Sequence, residues 1–308
     1  MRRSTAVFTA LATGAGLGAL GVAVFTGWSL NAPRRPGLDY AFTPFETRAD
    51  FEDLRFTAAD GVRLAGWWLD RPDSDLVIVC AHGHRGSKSD CLGLGTGLWR
   101  AGHTVILFDF RGNGESGDGP QSLSHHEQLD LRAAIDLARQ RRPDAKIAVV
   151  AFSMGAATAI LEGATDPRVA AFMLDSPFAT MGDVVANAFR RYRLPTPLLP
   201  LADLVNQLRY GYGYGQVRPL DVIADLAPRP ILLMHGTNDR VIPYDHARHL
   251  ADGLGDRRRP ADLGLDQDVC VDHGATSLVG GSAGGARVRV VVDPSPRRYR
   301  AEWGFVVP

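Results

Sequence analysis

Residues 146–155 read KIAVVAFSMG, from Lys146 to Gly155, a short apolar run set directly against Ser153 with small residues on both sides. The run predicts a buried strand, and the Ala151-Phe152-Ser153-Met154-Gly155 turn that follows would lift a serine hydroxyl out of the backbone. A strand-to-helix turn of this kind strains the serine and needs small residues two positions either side, so that strand and helix can approach. Ala151 and Gly155 meet that need, although alanine here stands where the G-x-S-x-G pattern has its first glycine. Without further signals, the same pattern also describes a small-residue turn with no chemistry.

Around this segment the chain alternates short apolar runs with helical spacing. Residues 51–57 and 62–69 read as two strands joined through Asp60-Gly61, a hairpin signal. Residues 76–81, 104–108, 147–151, 170–174 and 231–234 read as buried strands of a parallel sheet. Ser124 is expected to open a helix, with Glu127 completing a capping box and Pro143 ending it, and residues 154–161 form a helix of small side chains. This alternation predicts an α/β fold with a mostly parallel sheet flanked by helices.

Composition narrows the function classes. The 308 residues are 45% hydrophobic and 22% charged, enough for one large core or two modest ones, and the formal net charge of zero gives no electrostatic case for a nucleic-acid partner. Cys80, Cys91 and Cys270 are few, odd in number and widely spaced, which argues against a disulfide framework and a zinc site. No cofactor or metal is expected.

The N-terminus differs in kind. No charge occurs from Ser4 to Ala32, with Arg2 and Arg3 before that stretch and Arg34 and Arg35 after it. A bilayer span takes about 20 apolar residues and a signal-peptide core about 7 to 15. Residues 1–36 are therefore read as a single-pass membrane anchor and linker, with a cleaved signal peptide on a secreted protein as the alternative. Residues 40–308 are read as the α/β domain.

Three loops fall at strand ends, where an open parallel sheet places its ligands. They are His82-Gly83-His84-Arg85-Gly86, the glycine-rich run from Asp109 to Gly117, and the run from His235 to Pro243. With the Ser153 elbow, these motifs resemble the α/β-hydrolase fold family, and within it membrane-anchored Bem46-like and serine-aminopeptidase-like serine hydrolases. The resemblance covers residues 51–254. It implies Ser153 as nucleophile, Asp239 as the triad carboxylate, and the backbone N–H groups of Met154 and His84 as the oxyanion hole.

That chain order requires a histidine beyond Asp239. His246 and His249 sit in a stretch that reads as a helix, where they would be solvated or packing against the domain. His273 follows the apolar run Val269-Cys270-Val271, read as the last strand, and is the assigned base. Residues 257–295 are nevertheless unusually rich in Gly, Asp and Arg, consistent with either a natural insertion or a reading-frame disturbance that replaced the histidine loop. Residues 296–307 read as a closing helix.

Residues 176–220 read as a small helical cap insertion. Its apolar side chains Phe189, Tyr192, Leu194, Leu198, Leu199, Leu204 and Leu208 suggest a partly hydrophobic acyl substrate, or else simple packing on the sheet. Asp175 and Asp221 are competing acids that fit the acid-loop pattern less well than Asp239. The expected activity is hydrolysis of a carboxylic ester, thioester or amide through an acyl-enzyme. An aminopeptidase-like amide hydrolase and a catalytically silent relative serving as a binding protein are the alternatives. Oligomeric state and physiological substrate are not legible.

Overall fold

The computed structural model describes residues 2–33, 42–256 and 288–293. Helix α1 (Arg2–Asn31) precedes the sheet domain. That domain runs β1 (Glu52–Thr57), β2 (Arg63–Leu69), β3 (Leu76–Ala81), α2 (Leu92–Arg100), β4 (Thr104–Asp109), α3 (Glu127–Arg141), β5 (Lys146–Phe152), α4 (Met154–Gly163) and β6 (Val169–Asp175). It continues through α5 (Met181–Arg191), α6 (Leu199–Tyr210), α7 (Pro219–Val222), β7 (Ile231–Gly236), α8 (Asp245–Asp256) and β8 (Val288–Asp293).

The eight strands form one sheet in the order β1-β2-β4-β3-β5-β6-β7-β8. Pairing is antiparallel from β1 through β2 to β4 and parallel across the rest. The Asp60-Gly61 hairpin forms as read, with Gly61 at φ 89°. Successive side chains of a strand point to opposite faces. Val77, Val79 and Ala81 of β3 accordingly join Ile147, Val149 and Ala151 of β5 in one core with α3 and α4, while Ile78, Cys80 and Val150 join the opposite core under Leu98 and Trp99 of α2. Burial on both faces explains why these strands read as continuous apolar runs. Cys80 is a core residue as expected, and burial pushes its thiol up to about 12.

The structure bears on four expectations. Helix α3 starts at Glu127, and Ser124 does not cap it: its hydroxyl donates to the Met154 carbonyl at 2.9 Å. Glu127 does reach back, accepting from the Ser124 N–H at 2.9 Å and the Ser122 N–H at 2.8 Å. The strand that joins β7 is Val288–Asp293, whereas residues 269–271, His273 and the expected closing helix at 296–307 lie outside the described residues.

Third, among the described residues no helix is long and apolar enough to cross a membrane. The end of α1 is instead packed onto α6, with Ala23 fully buried and Asn31 bonded to Asn206 at 2.8 Å. Fourth, the apolar cap residues divide. Phe189 belongs to the main core, Leu194, Leu198 and Leu199 pack against it, and Tyr192, Leu204 and Leu208 stay exposed.

Candidate active site

Strands β3, β5, β6 and β7 run parallel, so the loops after them gather at one edge of the sheet. Ser153 follows β5 on that edge, with φ 51° and ψ −115°, and α4 begins at the next residue. A residue with a Cβ reaches such backbone angles at a cost of about 1–3 kcal/mol, repaid by surroundings that over-determine it. Here the Ser153 N–H donates to the Asp175 carbonyl at 2.7 Å and the Ser153 carbonyl accepts the Ala157 N–H at 3.1 Å. Neighbouring strand and following helix thus grip the elbow from both sides.

Close approach of β3 explains the small residues. A Cβ on Gly155 would stand 2.5 Å from the Ala81 carbonyl and 2.6 Å from that of His82, so only glycine fits. Ala151, standing for the first glycine of the pattern, is fully buried in β5 without breaking the ladder to Leu174.

His82 supports the β3 loop from beneath. Its Nε2 accepts the Phe110 N–H at 3.0 Å, so the proton sits on Nδ1 and is donated to the Gly83 carbonyl at 2.7 Å. Complete burial lowers its pKa from 6.5, which keeps the ring neutral and that tautomer in place. The same Gly83 carbonyl accepts the Gly86 N–H at 3.1 Å, closing a turn that presents His84 and Arg85. Gly83 itself lies against Ser153, with 3.3 Å from a hypothetical Cβ to the Ser153 Cβ.

Beside the turn, Asp109 ends β4 as a fully buried carboxylate. It accepts the Lys88 N–H and Nζ, each at 2.7 Å, and the Glu115 N–H at 3.0 Å. Arg111 is fixed between Asp130 and Asp60, at 2.7 Å to each. The glycine-rich loop is therefore a scaffold of ion pairs, and its motif residues are consumed inside the protein.

Met154 opens α4, where the first N–H groups of a helix have no intrahelical acceptor and the helix dipole is positive. Its carbonyl is fastened by Ser124 Oγ at 2.9 Å and Thr158 Oγ1 at 2.8 Å. The Ser124 contact was not legible from sequence, because the S-x-x-E spacing reads equally well as a helix cap.

Asp239 lies in the loop after β7. Its Oδ1 accepts the Val241 N–H at 2.7 Å and the Ile242 N–H at 3.0 Å, and Oδ2 stands 3.9 Å from His235 Nε2. That ring nitrogen is held at 2.8 Å from the Ile242 carbonyl and so braces the acid loop. Of the competing carboxylates, Asp221 is exposed and paired with Arg218 at 2.7 Å. Asp175 is buried at the end of β6 and accepts from Ser176 Oγ at 2.8 Å.

The histidines of α8 do not serve Ser153. His246 is buried and its Nδ1 accepts the Ala179 N–H at 3.0 Å, while His249 faces solvent. His273 lies outside the described residues. No group of residues able to hold a metal ion occurs among the described residues.

Comparison with known proteins agrees with the fold. The family model of the alpha/beta hydrolase fold matches residues 77–216. An uncharacterized protein of Bacillus subtilis, YqkD, is 31% identical over 213 residues, covering 67% of this chain and 70% of the relative. A monoacylglycerol lipase of Mycolicibacterium smegmatis is 26% identical over 64% of this chain and 82% of its own length. Among solved structures, the Pyrococcus furiosus esterase Pf2001 superposes with a TM-score of 0.60 at 24% identity, covering 73% of this chain and 84% of the esterase.

Proposed function

The chain belongs to the α/β-hydrolase family, and from that premise we propose that it is a serine hydrolase cleaving a carboxylic ester through an acyl-enzyme on Ser153. The observation that carries the reading is the elbow: a serine at positive φ, at the head of a helix, over a glycine that no other residue can replace. A serine hydroxyl is a weak nucleophile at neutral pH and needs a base to take its proton. His273 is assigned that role on chain order, and Asp239, already held by two N–H groups on Oδ1, has Oδ2 available to orient it.

In the reaction, Ser153 Oγ attacks the ester carbonyl carbon while its proton passes to the base. The carbonyl oxygen becomes an anion received by the Met154 and His84 N–H groups. Collapse expels the alcohol with that proton and leaves the acyl group on Ser153. Water then repeats the sequence, releasing the carboxylic acid and restoring the serine. Each oxyanion donor is worth about 3 kcal/mol of transition-state stabilisation in such sites.

A neighbour named as an esterase and a relative named as a monoacylglycerol lipase support an ester of an acyl chain as the substrate class. The alternative is a catalytically silent relative that binds ligands. Labelling of the full chain with a fluorophosphonate probe decides between them. Stoichiometric labelling of Ser153, abolished in Ser153→Ala and His273→Ala, is expected. Folded protein that does not label would overturn the hydrolase reading, and His273→Ala with unchanged turnover would overturn the assigned base.

For α1 we propose contact with a lipid surface. Leu17, Leu20, Val24, Phe25 and Trp28 remain exposed along it, which supports an interfacial placement. Co-flotation with anionic vesicles, lost in a Phe25→Ser, Trp28→Ser variant, is the expected result. Wild-type protein that stays free of the vesicles would overturn it.

A further inference from the structure

The last turn of α1 is closed by groups that belong to the loops around Ser153. A helix leaves its final four carbonyls without partners of its own. Here the Arg85 guanidinium donates to the Ser29 carbonyl and, at 3.2 Å, to Ser29 Oγ, while the Gln121 N–H donates to the Asn31 carbonyl at 3.2 Å. Asn31 is 1% exposed, and its Nδ2 donates to the Gly27 carbonyl at 2.7 Å and to Asn206 Oδ1 at 2.8 Å. Its Oδ1 accepts from the Tyr212 hydroxyl at 2.9 Å. A cation at a helix C-terminus is also favoured by the helix dipole.

Arg85 is an unexpected residue for its own backbone. It is the third residue of the Gly83–Gly86 turn and sits at φ 60°, the left-handed region where glycine is the default. Its side chain gives a reason for arginine there. A planar guanidinium with several fixed donors can hold a backbone carbonyl and a hydroxyl together, which a lysine ammonium does less well.

We infer that Arg85 is a positioning residue for the oxyanion hole. By gripping the last turn of α1 it fixes the Gly83–Gly86 turn, and with it the His84 N–H one residue earlier. The N-terminal helix is thereby a working part of the active site, in addition to any contact it makes with lipid. This inference rests on the hydrolase reading of Ser153.

The test uses the full chain and a short-chain aryl ester. Arg85→Gly relieves the left-handed backbone while removing the grip, so the variant is expected to fold, with its melting temperature as the check. Its kcat is expected to fall about tenfold to a hundredfold, the scale of a small misplacement at a reacting centre, with KM nearly unchanged. Fluorophosphonate labelling of Ser153 slows in parallel, because that reaction also develops an oxyanion. Arg85→Lys recovers part of the loss.

Loosening the helix independently, by Asn31→Ala, lowers kcat as well, and Arg85→Gly then costs less in that background than in the wild type. A folded Arg85→Gly chain with wild-type kcat, or one whose loss lies wholly in KM, would overturn the inference alone. A wild-type chain that neither labels nor turns over would overturn it together with the hydrolase reading.

Discussion

Gly155 lies directly beneath the carbonyl of Ala81, 2.5 Å from where a Cβ would place its carbon. The neighbour is backbone of a central strand and cannot rotate away. Gly155→Ala is therefore expected to cost about 3 kcal/mol or more of stability, at the upper end of overpacking penalties. Urea unfolding of the variant checks this, and a loss under about 1 kcal/mol would mean that β3 and α4 can move apart.

Asp109 is expected to be as costly to remove for a different reason. Asp109→Ala leaves the Lys88 ammonium, 5% exposed, with the partly exposed Glu115 at 3.3 Å as its remaining carboxylate among the described residues. Breaking a buried pair from one side costs about 3–5 kcal/mol. Denaturant melts of Asp109→Ala and of Lys88→Met separate the effects, the second being milder because it leaves a carboxylate still bonded by backbone N–H groups.

Asp239→Asn should leave the fold intact while removing activity. The asparagine oxygen can still accept from Val241 and Ile242, but the negative charge that orients and stabilises a protonated histidine is gone. A fall in kcat on the order of ten-thousandfold is expected, as for the equivalent change in a serine triad. Near-normal turnover would remove Asp239 from the triad.

Stability should fall with acid through two histidines. Burial lowers the pKa values of both His82 and His246 from 6.5, and each accepts a backbone N–H on its unprotonated nitrogen. Below pH 6.5 the unfolded chain takes up these protons before the folded one does, so their contribution is complete above that pH and lost as pH falls toward the folded values. Each sets a slope of at most about 1.4 kcal/mol per pH unit. Melting temperatures measured from about pH 7.5 down to about pH 5.5 should decline, and a flat profile would contradict the assignment.

The parallel core was legible because burial on both faces leaves uninterrupted apolar runs, so β3 begins and ends at Leu76 and Ala81 as read. The elbow was legible too, since its geometry constrains neighbours two residues away. Contacts between distant segments were not. Nothing local marks Asn31 as the partner of Asn206 and Tyr212, or Arg85 as the partner of Ser29. Ser124 was misread because one hydroxyl serves either its own helix or, as here, the Met154 carbonyl. Val288–Asp293, the strand that pairs with β7, was not legible because Arg289 interrupts its apolar run.

The pairing of β7 with β8 bears on how the chain is made. Synthesis delivers β7 with one side of its backbone unpaired, and α8 and all of residues 257–287 must follow before Val288–Asp293 can cover it. During that interval the nascent domain carries an open strand edge, a template for pairing with other chains. Ribosome stalling or truncation within residues 257–287 would produce a sheet complete through the nucleophile yet open along β7 and prone to aggregate.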